Sequence, residues 1–348
     1  MFIVVGVATM KRPTSRKSTP WNEIKNMTET QSFLKQLYEA HYAERHIIVK
    51  DSGETALVNS YIPGKCPHCG ADKFKRSGHT DSGVQRYKCG CGKTFLPTTG
   101  TIFDEHRISI SEWMEYCLNL FHHVSITADS WNNKNAFITS RYWLQKLFMI
   151  LEDIQNDIIL SETVWLDETF YSVRSEDIIR DNGGAKLSGI SRNQICIAVA
   201  TDKKNSIFAV EGMGRPTQKK TLEIFRRHIE NGSTIIHDGD AAHKSLIKTL
   251  SLESVVHTTK DTKGLADKDN PLYPVNRVHA ILKKFLYAHS GFKRDNLMGY
   301  LNLFAFVTNP PDDLLEKVDL IVNIAFQNPK LLRFRDFVAK KTMFEDID

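Results

Sequence analysis

Four of the chain's six cysteines crowd between positions 66 and 91, as Cys66-Pro-His-Cys69-Gly and Cys89-Gly-Cys91-Gly. Thiolates this close in sequence can grip one ion when the intervening turn is tight, and Gly70, Gly90 and Gly92 supply that freedom. Two such pairs about twenty residues apart predict a closed, structural Zn²⁺ site on a small β ribbon. Disulfides are the weaker reading, because the cysteines cluster in a long chain without a leader. The second pair is Cys-x-Cys, so His68 or His79 could replace one cysteine as a ligand. Cys117 and Cys196 stand alone among apolar neighbours and read as core residues.

The whole chain, 348 residues of which 41% are hydrophobic, is too long for one ordinary domain and too apolar for disorder. Net charge is +5, mildly basic and compatible with a polyanion without demanding one. No stretch approaches the ~20 apolar residues of a membrane helix. The apolar opening 1–9 lacks a leading basic region and reads as a strand or irregular start. Residues 11–22 are basic and rich in Ser and Pro, either a DNA-contacting tail or a solvated linker, and 24–46 repeat apolar positions helically. Between the cysteine pairs Lys75, Arg76, Arg86 and Lys88 alternate with Phe74 and Tyr87. That mixture suits phosphate contact with stacking, or a solvated face over two core aromatics.

Beyond the ribbon, 109–122 and 140–159 carry helical periodicity around a polar stretch, 129–135. They form either a helix-turn-helix-like element or an ordinary bundle joining two domains. From 162 the period changes. Strands are predicted at 163–172, 194–201, 206–212, 233–237 and 253–259. Helices are predicted at 217–229, 241–250, 275–288 and 296–308, and a polar loop at 260–274. This order is that of an RNase H-like α/β domain, a mixed sheet with flanking helices. The predicted organisation is 1–59 helical or flexible, 60–104 zinc ribbon, 105–160 helical DNA-binding or linker region, 161–310 RNase H-like domain, and 311–348 a helical tail.

Within that domain Asp167 interrupts the apolar strand Val-Trp-Leu-Asp-Glu-Thr-Phe-Tyr, where an unpaired carboxylate is costly unless it holds a cation. Asp238 follows the short core strand Thr-Ile-Ile-His, at the strand end where α/β folds place site residues. Asn276 and His279 share a face of the helix that follows. Two Mg²⁺ or Mn²⁺ ions held by such a set would serve phosphodiester chemistry. Asp167 would bridge them, Asp238 would bind one, and Asn276 would complete the other, although Glu168 or Asp240 could stand in for an aspartate.

With these pieces in place the chain resembles the insertion-sequence transposases that join a zinc ribbon to an RNase H-like DDE domain (ISXO-type). The resemblance covers roughly 60–308 and rests on Cys66-x-x-Cys69, Arg86-Tyr-Lys-Cys89, Lys93-Thr-Phe-Leu-Pro-Thr-Thr-Gly-Thr-Ile-Phe103, Trp165-Leu-Asp-Glu-Thr169, His237-Asp-Gly-Asp240 and Asn276-Arg-Val-His-Ala-Ile-Leu-Lys283. It implies that Asp167 and Asp238 are the first two catalytic acids. Asn276 falls where many relatives have Glu, giving the Asp-Asp-Asn variant, and Lys283 stands at the family's downstream Lys. Lys283 and Lys284 would contact the DNA backbone, and His279 is a second-rank site residue. The implied activity is DNA cleavage and strand transfer on double-stranded terminal repeats and target DNA, by a homo-oligomer in a synaptic complex. The compartment would be the cytoplasm or nucleoid of a prokaryote, or a eukaryotic nucleus. A transposase-derived DNA-binding protein without catalysis and an RNase H-like nuclease are the alternatives.

Overall fold

The structure is a computed structural model and describes residues 28–47, 53–104, 109–132, 136–289 and 291–345. The opening 1–9 and the basic stretch 11–22 lie outside the described residues. Helices α1 (Glu29–Ile47) and α2 (Gly53–Ser60) precede an antiparallel sheet of β1 (Phe74–His79), β2 (Gln85–Cys89) and β3 (Thr94–Phe95). Three helices follow, α3 (Ile110–Phe121), α4 (Ile126–Asn132) and α5 (Phe137–Ile150). The larger sheet contains β4 (Thr163–Ser172), β5 (Gln194–Thr201), β6 (Ser206–Met213), β7 (Thr234–His237) and β8 (Glu253–Val256). Its helices are α6 (Gln218–Phe225), α7 (Lys244–Leu250), α8 (Thr259–Thr262), α9 (Tyr273–Ala288) and α10 (Leu297–Thr308), with α11 (Leu314–Gln327) and α12 (Phe334–Glu345) after them.

The large sheet has the order β6-β5-β4-β7-β8. β4, β5 and β6 are consecutive antiparallel neighbours, while β7 and β8 add parallel on the other side of β4. Only β5 therefore opposes the rest, and the domain has the RNase H-like fold expected from the element order. β5 reads Gln-Ile-Cys-Ile-Ala-Val-Ala-Thr and is buried at every position after the first, as a strand covered on both faces should be.

The two-residue period of β4 sorts its side chains into two cores. Val164 and Leu166 join Ala198, Ala200, Phe225 and Leu246 beneath α6 and α7. Tyr171, Ile197 and Val199 join Val275, Leu282 and Phe304 on the side of α9 and α10. Asp167 thus faces α9 and Glu168 faces α6 and α7. That second core also takes in α3, α5 and α11. Trp113, Tyr116 and Trp143 are at most 1% exposed, and the Tyr116 hydroxyl donates to the Ser140 carbonyl at 2.7 Å. Burial of side chains this large contributes roughly 1.5–3 kcal/mol each, so α3 and α5 are fastened to the sheet's own core. α11 is equally committed, with Ile321 and Ala325 fully buried.

Some boundaries differ from the periodicity. α6 stops at Phe225 because Ile229 bridges Leu160, whose carbonyl accepts from Glu230 N–H at 2.9 Å and draws the chain out of the helix. The helix predicted over 140–159 ends at Ile150 and continues as turns. The cap of α3 is Ser109, which accepts from Glu112 N–H. Within the stretch read as a loop, 260–274, Thr258 and Asp261 form a capping box that starts α8.

Candidate active site and cysteine centre

β4 and β7 run parallel, with Leu166 paired to His237. One residue further along each chain come Asp167 and Asp238, so the register sets two carboxylates beside one another where β7 ends. The Asp167 side chain is 22% exposed. Burial first, then the charges of Glu168 and Asp238, push its pKa up to about 7. The Glu168 N–H donating to Oδ1 at 2.9 Å and the His243 charge offset part of that rise. A carboxylate pressed this way by burial and like charge gains from a cation held next to it.

The turn after β7 is shaped by Gly239, which sits at φ +89°, and a Cβ there would lie 2.8 Å from Val256 Cγ1. Only glycine fits, and the turn directs the Asp240 N–H to Asp238 Oδ1 at 2.8 Å. Asp240 itself accepts from Ala242 N–H at 2.8 Å and caps the short 3-10 turn Ala241–His243. Glu168 lies on the opposite face of β4, its Oε1 2.9 Å from His243 Nε2. Both residues that could have stood in for an aspartate are therefore engaged elsewhere.

α9 closes the site from above. Trp165 Nε1 donates to the Pro271 carbonyl at 2.9 Å, fastening the start of this helix to β4. His279 is 7% exposed, and its Nδ1 lies 3.9 Å from Asp167 Oδ2. Its Nε2 is buried and has no hydrogen-bond partner among the described residues. Burial and the Lys283 charge lower its pKa to about 4, against the pull of the Asp167 backbone, so the ring is neutral near pH 7. Asn276, one turn earlier, is exposed, as are Lys283 and Lys284 one turn later. Asn276, His279 and Lys283 thus line one edge of α9, with His279 the member turned inward against Asp167.

The cysteines converge as their spacing predicts. All four Sγ atoms lie within 4.8 Å of one another. Cys66 Sγ is 3.9 Å from Cys91 Sγ, and Cys69 Sγ is 3.6 Å from Cys89 Sγ. These separations bracket the ~3.8 Å between sulfurs of a tetrahedron with Zn–S near 2.3 Å and are far beyond a disulfide bond. Against burial, hydrogen bonds from the backbone of His68 and Cys69 lower the Cys66 thiol to about 7, toward the thiolate that a metal takes. The His68 ring nitrogen Nε2 instead faces the Thr94 carbonyl at 3.4 Å.

Phe74, Tyr87 and Phe95 pack edge and face against one another, with centroids 5.1–5.6 Å apart, and make the ribbon's small core. They are therefore unavailable to stack on a ligand, and of the two readings of this stretch the core aromatics hold. The cations remain. Lys75, Arg76, Arg86 and Lys88 are exposed, and Lys75 pairs directly with Lys88 across β1 and β2. Like charges opposite one another are unfavourable unless an anion covers them.

Sequence reading passes over His243 and His237. The available signal was the period of β4, which puts Glu168 on the face away from Asp167 and leaves it needing a partner there.

The strand order and directions are those of an RNase H-like α/β domain, with Asp167 and Asp238 beside one another where β7 ends. Residues 159–309 match the family model described as ISXO2-like transposase domain. Solved structures similar to the chain include the Mos1 strand transfer complex (11% identity over 65% of this chain and 80% of that one, TM-score 0.29). The catalytic domain of Mos1 mariner transposase is another (14%, 54% and 93%, TM-score 0.23). A third is the simian T-cell lymphotropic virus intasome bound to the PP2A regulatory subunit B56 gamma (13%, 55% and 66%, TM-score 0.28). The chain thus spans slightly under two thirds of that intasome chain. No curated protein sequence matches. Among the described residues no helix is long and apolar enough to cross a membrane.

Proposed function

We propose that the chain is a DDE-type transposase that binds element-end DNA and performs divalent-metal-dependent cleavage and strand transfer. The observation carrying this reading is the pair Asp167 and Asp238, brought together by the β4–β7 register inside a transposase-family domain. Mg²⁺ or Mn²⁺ bound there would activate the attacking hydroxyl and stabilise the leaving oxygen. The residues present fit such ions: Asp167 is pressed by burial and then by the charges of Glu168 and Asp238, and the neutral His279 ring turns Nδ1 to within 3.9 Å of its Oδ2.

Asp167 would bridge the ions and Asp238 bind one of them. α9 would complete the set through the Asn276 carbonyl, with the lone pair of His279 as a further donor on the same edge. Two ligands of one ion at 2.0–2.1 Å stand about 3–4 Å apart, and the 3.9 Å from His279 Nδ1 to Asp167 Oδ2 lies in that span. Lys283 and Lys284 would hold the DNA backbone as point charges. The cysteines would hold a structural Zn²⁺, and the exposed face of Lys75, Arg86 and Lys88, with Arg76 beside it, would lie on phosphates. Since a transposase joins two ends, the working form would be a homo-oligomer.

The test is joining of labelled element-end DNA to target DNA with Mg²⁺ or Mn²⁺. Joining by the native chain and its loss in Asp167→Ala and Asp238→Ala support the proposal. Cleavage without joining would indicate a nuclease, and DNA binding without chemistry a derived DNA-binding protein.

A further inference from the structure

Behind the carboxylates, on the face of the sheet turned away from α9, lies a second chain of polar groups. Glu168 Oε1 is 2.9 Å from His243 Nε2, and His243 Nδ1 is 2.9 Å from His237 Nδ1. His237 Nδ1 also receives the Gly239 N–H at 3.1 Å, and His237 Nε2 is 3.0 Å from Ser254 Oγ. All three side chains are nearly inaccessible: His243 0%, His237 3% and the Glu168 side chain 5% exposed.

Hydrogen-bond polarity determines where the protons sit. A backbone N–H can only donate, so His237 Nδ1 is the acceptor and the His237 proton is on Nε2, donating to Ser254. His243 Nδ1, facing the same lone pair, must then be a donor. His243 Nε2 in turn faces the Glu168 carboxyl group at 2.9 Å and closes the line. The electrostatics agree. Burial opposes charging of His243, but the hydrogen bond and charge of Glu168 keep its pKa above the ordinary value. The other titratable groups around it are Asp238, Asp240 and Glu211, with Cys196 near Glu168.

This network ends on the turn that aims Asp238. The Gly239 N–H that His237 Nδ1 accepts at 3.1 Å belongs to the residue directly after Asp238. We infer that Glu168, His243 and His237 are positioning residues: an anchored line of hydrogen bonds behind the sheet that holds the Asp238–Gly239 turn in the geometry needed to bind metal. Outer-shell partners of this kind normally orient a ligand, and their loss weakens metal binding by about 10–100-fold.

The inference rests on the metal-binding reading above, and Mn²⁺ binding by the full chain without DNA, followed by paramagnetic resonance, separates the two. The native chain binds Mn²⁺ and Asp238→Ala does not; if the native chain binds none, the metal reading itself fails. His243→Phe removes both links and weakens Mn²⁺ by about tenfold or more. His243→Asn keeps a donor near Nδ1 for His237 and recovers affinity, while His243→Gln, which can reach only toward Glu168, recovers less. Near-isosteric Glu168→Gln and His243→Gln, both expected to weaken Mn²⁺ binding, carry the test if His243→Phe does not fold. In the metal-free native chain the His243–Glu168 bridge gives a far-downfield N–H proton resonance, absent from Glu168→Gln. Native Mn²⁺ affinity in folded His243→Phe and His243→Gln, or an unchanged proton spectrum in Glu168→Gln, overturns the inference.

Discussion

Asp167 and His279 face one another across the gap between β4 and α9, with Oδ2 and Nδ1 3.9 Å apart. That distance is too long for a hydrogen bond, and both groups are mostly buried. One is a carboxylate held near neutrality and the other a ring kept uncharged. Each lacks what a divalent ion would supply.

This arrangement ranks the residues of α9. His279 is turned inward and Asn276 is exposed, so His279→Ala should reduce strand joining by more than tenfold. Asn276→Ala should cost less, and Asn276→Asp should be tolerated because it adds a stronger metal ligand. Single-turnover joining rates decide, and equal losses at both positions would move the weight back to Asn276.

Asp167 should also make metal binding depend on pH. Its folded-state pKa, about 7, lies above the unfolded value of about 3.9. Relative to the fully protonated state, the metal-free fold therefore loses stability as pH rises from the unfolded value through about 7. Metal binds the ionised form, so Mn²⁺ affinity should climb from pH 6 to pH 8 with proton release. Titration calorimetry in buffers of different ionisation enthalpy measures that proton, and a flat profile would count against the assignment.

The same crowding predicts a trade of stability against function. Asp167→Asn removes a buried charge next to Asp238 and Glu168, and should stabilise the metal-free chain by about 0.5–2 kcal/mol while abolishing joining. Thermal unfolding of the two chains without metal tests this, and a lowered melting temperature would mean that the carboxylate is needed by the fold.

For the ribbon, metal analysis should find one Zn²⁺ per chain. Cys89→Ser or a strong chelator should unfold β1–β3 and leave the larger sheet standing, because its core shares no residue with the ribbon's. Replacing Lys75 and Lys88 by Glu should weaken DNA binding independently of sequence and flatten its salt dependence, by roughly 0.9 in log–log slope for each phosphate no longer neutralised.

Much of this was legible in the chain. The cysteine spacing gave the ribbon, and the order of strands and helices gave the RNase H-like sheet, because both depend on local periodicity. Asp167 and Asp238 stood out as charges at apolar strand positions. What could not be read was the pairing of Leu166 with His237, a contact between distant segments, and it is this pairing that brings the aspartates together. Nor could the sequence show that Asp240 would be spent on a cap and Glu168 on His243. The aromatics of the ribbon misled in part, since Phe74 and Tyr87 serve a core too small to be noticed in the pattern.

The most direct test is a crystal of the full chain soaked in Mn²⁺ and measured at the manganese absorption edge. An anomalous peak is expected on the α9 face of the sheet, between Asp167 and Asp238 and within ligand distance of both. Manganese bound elsewhere, or on the opposite face against Glu168 and His243 with Asp167 and Asp238 unoccupied, would contradict the metal-binding reading.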